Sequence, residues 1–313
     1  MKKRLPLSVL SLVAAFAALG TALMPYQAAL RALCGVIAMA LGIAFIVQSF
    51  SDTKHIAQSM GRPFGIAIFA YFPLAVEFLA PYAKDYFIGD AAAKMLLLGL
   101  ALQGVLLLVS VVRLFRAHKA ENFSPLLYVP FVGMASFSWA ADEIGSAATG
   151  KPIFLVTVFF FAVLSLLLLV FLRRGTRRNA ALAPGFRSPA LVTQAMPLPL
   201  LFLAYTASAN TLALPILAVL TLGTAMTWVI ALVLLARILR APYEEDLALI
   251  AFPMTVSALA LQRAPLAMQA AGGTLASLAP LLQQVSIVPV LVAAVICYYV
   301  LLRVLLALFA KSK

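Results

Sequence analysis

The sequence predicts an all-α integral membrane protein of ten transmembrane helices, laid out as five tandem hairpins. Three observations predict it. Hydrophobic residues make up 65% of the 313, charged residues only 11%, and the mean hydropathy is +1.08; soluble domains carry about 25% charged residues. Ten apolar stretches each approach the roughly 20 residues that a bilayer-spanning helix needs. Prolines then recur near the start of every second stretch, at Pro6, Pro73, Pro130, Pro197 and Pro253, spaced by 67, 57, 67 and 56 residues. That period is one helical hairpin. A proline inside a helix removes a backbone hydrogen bond and kinks it, and a bilayer tolerates the defect where neighbouring helices or a water-filled cavity satisfy the freed carbonyl. Five helices perturbed at related points imply a pathway between them.

The spans follow in order. The first, 5–23, lies behind Lys2-Lys3-Arg4. It has the basic start and apolar run of a secretory signal, but removing it would leave nine spans and an unpaired hairpin. The second, 28–50, ends at Asp52-Thr53-Lys54-His55, and the third, 61–81, ends at Pro81-Tyr82 before Asp90. The fourth covers 91–115. Asn122-Phe123-Ser124-Pro125 opens the fifth, 125–145, with Ser124 placed to cap a first-turn proline. The sixth is 152–173. Beyond the arginine-rich segment 173–187 come 189–210 and 212–236, the latter closed by Ala241-Pro242-Tyr243. Glu244-Glu245-Asp246 opens the ninth, 247–268, where acidic groups suit the positive end of the helix dipole. Gly272-Gly273 loosens the loop before the tenth, 286–310. No stretch alternates with period two, so no strands are expected. The connections are too short to fold separately, so residues 1–313 form a single membrane domain.

The net charge of +13 is distributed by side. With a cytoplasmic N-terminus, inner segments hold 18 Lys and Arg residues and outer segments hold five: Arg31, Lys84, Lys94, Lys151 and Arg263. The positive-inside rule then places both termini in the cytoplasm, and the expected location is the cell's inner (plasma) membrane. Arg173, Arg174, Arg177, Arg178 and Arg187 read as topology and anionic-lipid contact. A nucleic-acid partner is not expected, because only Phe186 is interleaved with them. Cys34 and Cys297 have no partner spacing for a disulfide framework or a metal. There is no P-loop, HExxH or GxSxG pattern. His55 and His118 fall in loops, and adjacent Asp142 and Glu143 point about 100° apart on a helix, a poor acid/base dyad. Neither an enzyme nor a cofactor is indicated.

The proline-bearing stretches carry a resemblance. They are Leu5-Pro6-Leu7-Ser8; RPFGIAIFAYFPL, with Pro63 and Pro73 ten apart; SPLLYVPFVG, with Pro125 and Pro130; AMPLPLLFLAYTA, with Pro197 and Tyr205; and AFPMTVSALA at 251–260. Together, in this order, they resemble the tellurite-resistance/dicarboxylate transporter family, which includes the plant slow-type anion channels. The resemblance implies five hairpins around a quasi-five-fold axis. Odd-numbered helices would line a central pore in each protomer of a homotrimer, and small inorganic or carboxylate anions would be the cargo. It implies a phenylalanine gate on the ninth span, matched here by Phe252. Only five residues precede Pro6, so either the first inner helix is short at its cytoplasmic end or Pro6 is a first-turn proline.

Beside Phe252, the residues preceding the repeated prolines are Leu5, Phe72, Val129 and Met196, all apolar. At one level of a pore they would form a collar able to close it by dewetting; the alternative is ordinary helix packing. Ionisable groups inside spans are costly, and two stand out. Arg263 lies eleven residues after Phe252, about 1100° of helix rotation, so both share one face, with the arginine about 16 Å further out. Glu77 sits in the outer half of span three. Both are candidate outer-pore electrostatic residues, or else residues snorkelling to the interface. Among hydroxyls on inner spans, Ser8, Ser136, Ser138, Thr193, Tyr205, Thr255 and Ser257 are available to an anion, though such groups commonly bond backbone or a neighbouring helix. The pattern supports a passive anion channel or uniporter. The alternative is proton-coupled export of a dicarboxylate, sulfite or tellurite-type oxyanion, for which Glu77 would be the protonatable group; a sealed membrane scaffold is a third possibility.

Overall fold

The computed structural model describes residues 4–62, 64–86, 90–117, 124–177, 188–240 and 245–309. Lys2, Lys3, Pro63, His118, Lys119, Asn122, Phe123, Arg178, Phe186, Arg187, Pro242, Tyr243, Glu244, Lys311 and Lys313 lie outside them. The described residues are helical, without strands. The helices are α1 (Val9–Leu23), α2 (Ala28–Ser51), α3 (Thr53–Gly61), α4 (Gly65–Phe69), α5 (Tyr71–Tyr86), α6 (Ala91–Ala117), α7 (Tyr128–Val132), α8 (Ala135–Glu143), α9 (Ala147–Arg177), α10 (Ser188–Val192), α11 (Pro197–Ser208), α12 (Leu214–Ile238), α13 (Ala251–Ala271), α14 (Ala279–Val285) and α15 (Ile287–Phe309).

Among the described residues, eight helical segments are long and apolar enough to cross a bilayer, as a multi-pass membrane protein requires. Two expected spans are not among them. The reading of 5–23 as one span gives way to a 15-residue α1, about 22 Å long against a hydrocarbon core of about 30 Å. Pro6 lies before the helix, its carbonyl accepting from the Val9 amide at 3.1 Å. It therefore stands ahead of the helix rather than in its first turn, and the helix is short at that end. The reading of 125–145 as one span gives way to three pieces: a 3₁₀ turn at Pro125–Leu127, then α7, then α8 after a break at Gly133 and Met134. Ser124 caps the 3₁₀ turn, its hydroxyl accepting from Leu126 N. A β-carbon on Gly133 would lie 2.5 Å from Gln103 Nε2. That closeness lets the buried Gln103 amide of α6 donate to Val129 O at 2.7 Å, patching the broken helix.

The repeated prolines explain the other interruptions. Pro73, Pro197 and Pro253 stand within the first three residues of α5, α11 and α13. Each follows a break or a tighter turn: Ala70 after α4, the 3₁₀ turn Thr193–Ala195, and the 3₁₀ turn Glu245–Ile250. The expected mid-helix kinks are thus breaks just ahead of the proline. A proline lacks the N–H that a continuous helix would need; in a first turn that N–H is not required.

Packing separates the helices into two classes. α1 packs on α5, α5 on α8, α8 on α11, α11 on α13, and α13 on α1, a closed cycle. Each also packs on a second helix: α1 on α2, α5 on α6, α8 on α9, α11 on α12, and α13 on α15. The cycle members are buried, with 89% of the best apolar window in Asp246–Ala271 enclosed; only 17% is enclosed in α9 and in α12. Exposed Phe159 and Leu166 on α9, and Leu222 and Met226 on α12, give the protein an apolar exterior. In water such a surface would have to be covered; lipid chains cover it without cost.

Small residues set the approach of α1, α2 and α5. A β-carbon on Gly20 would lie 2.1 Å from the Tyr82 hydroxyl, and one on Gly35 would lie 2.8 Å from its ring. Tyr82 therefore wedges between the two helices and donates to Ala17 O at 2.8 Å. The buried Arg31 guanidinium sits 4.7 Å over the Tyr82 ring and pairs with Asp85. Gly145, Gly272 and Gly273 adopt positive φ, and the last two make the turn after α13.

Candidate functional site

The interior of the five-helix cycle is filled by side chains from helices that are not adjacent in it. Phe252, at the start of α13, is fully buried. Its ring meets Tyr71 edge-on at 5.7 Å and Phe78 edge-on at 5.5 Å, both from α5. Phe78 in turn stacks on Trp139 of α8 at 4.7 Å. α5 and α13 are separated in the cycle by α1, so these rings meet across its middle. Tyr71 and Phe78 are seven residues apart, about two turns, and Phe252 spans between them. Edge-to-face pairs are worth about 0.5–1.5 kcal/mol each beyond their buried area.

The apolar residues ahead of the prolines separate. Val129 and Met196 are fully buried. Phe72 is half-buried and stacks on Phe69 at 5.8 Å; successive helical residues point about 100° apart, and the preceding Tyr71 takes the inward direction. Leu5 is tied to an outer helix. Its amide donates to Gln48 Oε1 at 2.8 Å, and Gln48 Nε2 donates back to its carbonyl at 3.1 Å. The sequence carried a signal for Tyr71, an aromatic hydroxyl next to the marked proline, but counting residues from the proline selected its neighbour.

The two ionisable candidates do not share a site. Arg263 Nη2 pairs with Glu143 Oε1 at 2.9 Å, and the two side chains are 34% and 21% exposed. α13 and α8 are not adjacent in the cycle, so this ion pair crosses its end. Lys84 of α5 donates to the Glu143 carbonyl at 2.8 Å, so a third cycle helix joins there. Glu143, read in the sequence only as a poor dyad with Asp142, is thus the partner of Arg263. Glu77 instead faces sideways, between α5, α6 and α8. It is fully buried, its Oε2 bonded to Ser136 Oγ, and Oε1 has no partner. Ser136 Oγ also reaches Gly133 O at 2.7 Å.

The remaining inner hydroxyls divide. Thr255 donates to Ala251 O at 2.9 Å, Ser257 to Pro253 O at 2.8 Å, and Ser138 to Gly150 O at 2.8 Å. Tyr205 accepts from the Ala213 amide at 2.6 Å. These satisfy the backbone and hold helices together. Ser11, Tyr71 and Thr193 are fully buried with hydroxyls that make no hydrogen bond. Among the described residues no group of three or more His, Cys, Asp or Glu side chains is placed to hold a metal ion, and Cys34 and Cys297 are buried free thiols.

No protein-family model matches the chain, and no curated protein matches its sequence.

Proposed function

We propose that the protein is a passive channel or uniporter for small anions, gated by Phe252. The observation that carries this reading is the closed five-helix cycle whose interior is blocked by Phe252 meeting Tyr71 and Phe78 from across it. A pathway for an ion has to run between helices, and the axis of a closed cycle is the place where it can be lined all round. Apolar rings there exclude water, and an ion cannot pass a dry constriction. The ion pair of Arg263 and Glu143, which closes across the cycle's end, marks its mouth.

This reading includes ten transmembrane helices in five hairpins around a central pore, with α1 and the broken α7–α8 segment completing the inner set. It also includes a location in the cell's inner (plasma) membrane, cytoplasmic termini, a homotrimer, and kinship with the tellurite-resistance/dicarboxylate transporter family. The recurring prolines and the segment AFPMTVSALA support the last point.

One observation favours a second reading, proton-coupled export of a dicarboxylate, sulfite or tellurite-type oxyanion. Glu77 is a buried carboxyl within the bundle, hydrogen-bonded to Ser136. It lies between helices rather than beside Phe252, which favours the channel.

The test is anion flux in proteoliposomes, comparing wild type with Phe252→Ala. Removing the ring deletes two edge-to-face contacts, together worth about 1–3 kcal/mol. If those contacts hold the gate shut, flux rises about 5–160-fold. Unchanged flux in a folded variant would remove Phe252 as the barrier, and a proton gradient that drives flux through wild type would favour the second reading.

A further inference from the structure

α3 joins the ends of two outer helices, α2 and α6. It begins at the end of α2, turned off that helix by the non-helical backbone of Asp52 (φ −142°, ψ 64°). Its last turn is tied to the end of α6, where Arg113 Nη1 donates to Met60 O at 2.9 Å. A helix of nine residues is about 14 Å long, so α3 is a short bridge between the two. It is also two-sided. Ile56 and Met60 pack on the hydrophobic core and Ser59 is buried, while Lys54 and Gln58, and Arg62 just beyond the helix, are exposed. A helix with one apolar and one cationic side suits the plane where lipid headgroups meet acyl chains.

The charge on this bridge gathers at its α6 end. Arg62, Arg113 and Arg116 are all exposed. Arg62 stands two residues after Met60, the residue that Arg113 bonds, and Arg116 lies about one turn along α6 from Arg113. Three guanidinium groups therefore share one corner. Asp52 is the only acidic residue in 28–62 and 91–117. It sits at the opposite end of α3, where it pairs with Arg4 and accepts from the His55 amide at 3.2 Å. No carboxylate of those segments thus offsets the arginines. The faces that lead up to the bridge are apolar. Leu108, Val112 and Phe115 on α6, and Ile43, Val47 and Phe50 on α2, repeat at the same spacing of four and three residues, and all are exposed. The first stripe ends next to Arg116, the second three residues before α3 begins.

We propose that the corner between α3 and the end of α6 binds one anionic phospholipid. Arg62, Arg113 and Arg116 hold its phosphate, and an acyl chain lies along Leu108, Val112 and Phe115. Guanidinium groups match phosphate oxygens through paired hydrogen bonds. A zwitterionic lipid brings a quaternary amine with its phosphate, and the corner offers no carboxylate to receive it. A seated lipid would also fasten the approach to the gate. A β-carbon on Gly65 would lie 2.0 Å from Ser59 O, so α3 rests directly on the start of α4. α4 leads through the break at Ala70 to Tyr71, whose ring meets Phe252. That consequence rests on the channel reading; the lipid site does not.

The test is thermal unfolding of the purified full-length protein in detergent, as dioleoylphosphatidylglycerol or the phosphatidylcholine with the same chains is added to the micelles. Phosphatidylglycerol should stabilise wild type saturably and at a lower mole fraction than phosphatidylcholine. Arg62→Gln and Arg116→Gln should each raise the half-saturating fraction about fivefold, the effect of one cation near a membrane surface. These two variants decide the matter, because Arg113→Gln also gives up the tie to Met60. Arg237→Gln, at an exposed arginine near the end of α12, is the control and should leave half-saturation unmoved. An equal response to the two lipids would overturn the site. An equal loss in the Arg237 variant would do the same, by making the effect one of overall surface charge. Glycerol 3-phosphate acting as well as the lipid would make the corner a site for free phosphate and sink the lipid proposal. Flux in proteoliposomes separates the two ideas: saturable, arginine-dependent lipid binding with no flux in wild type or Phe252→Ala leaves the site standing and removes the channel.

Discussion

Replacing Gly99 by alanine probes how closely α6 is drawn against α5 at Glu77. The added β-carbon would lie 2.6 Å from Glu77 Cγ and 3.3 Å from the Pro73 carbonyl oxygen. The first distance is a clash with the middle of a buried side chain, and the second leaves little room to retreat. Overpacking of this kind costs about 1–3 kcal/mol. Glu77→Ala removes the atoms that Gly99→Ala would strike. Its own cost is a cavity, about 2–5 kcal/mol for a side chain of this size, offset in part because the unpartnered Oε1 is also removed. In the double variant the new methyl enters the vacated space. Its destabilisation should fall short of the sum of the singles by at least about 1 kcal/mol. The assay is thermal unfolding in detergent, where about 1 kcal/mol moves the midpoint by about 2 °C in a chain this long. Independent sites add within about 0.5 kcal/mol, so additivity at that level would refute the contact. Glu77→Gln supplies the functional arm. Its amide can donate to Ser136 as a protonated acid would, so a channel keeps its flux, whereas a proton-coupled exporter loses both transport and its dependence on pH.

Two further outcomes are expected. Glu143→Gln frees Arg263 from its partner and leaves one positive charge at the mouth. At about 8 Å from a passing ion that charge is worth about 0.5 kcal/mol in water, roughly a twofold rise in anion flux at low salt that fades as the Debye length shortens; Arg263→Gln should lower flux with the same salt dependence, and salt-independent effects would make the pair a packing contact only. Lys54→Cys should be labelled by an impermeant thiol reagent from the cytoplasmic side only and Tyr26→Cys from outside only, with Cys34 and Cys297 silent because they are buried; the reverse pattern would invert the topology.

The helical architecture was legible because apolar runs and their breakers are local properties. Ser124 before Pro125, the paired glycines after α13 and the interruption near each repeated proline were all written in short stretches. Periodicity also put Arg263 on the face of Phe252. What it could not supply was the partner across the bundle. Glu143 lies 120 residues away, at the end of α8. The choice of Tyr71 over Phe72 was likewise outside the pattern. One residue moves a side chain by about 100°, and the break at Ala70 resets the count that the proline spacing had assumed. Gln103, which reaches the α7 break from α6, has no sequence signal beyond being an amide in an apolar run.

The two classes of helix also bear on how the chain enters its membrane. α9 and α12 present nearly uniform apolar surfaces and can partition into lipid unaided. The cycle helices carry Glu77, several hydroxyls and their prolines, and burying such groups in lipid alone is costly. Their polar groups are silenced by partners that arrive at different times. Ser136 reaches Glu77 only after two more helices have been made, whereas Gln103 is in place before the break at Gly133 is synthesised. A nascent inner helix is therefore a provisional resident, retained at the insertion machinery or beside its outer partner until the cycle closes. Chains interrupted between α5 and α8 would display an unpartnered carboxyl to lipid, a feature by which quality-control proteases could tell a half-made protein from a finished one.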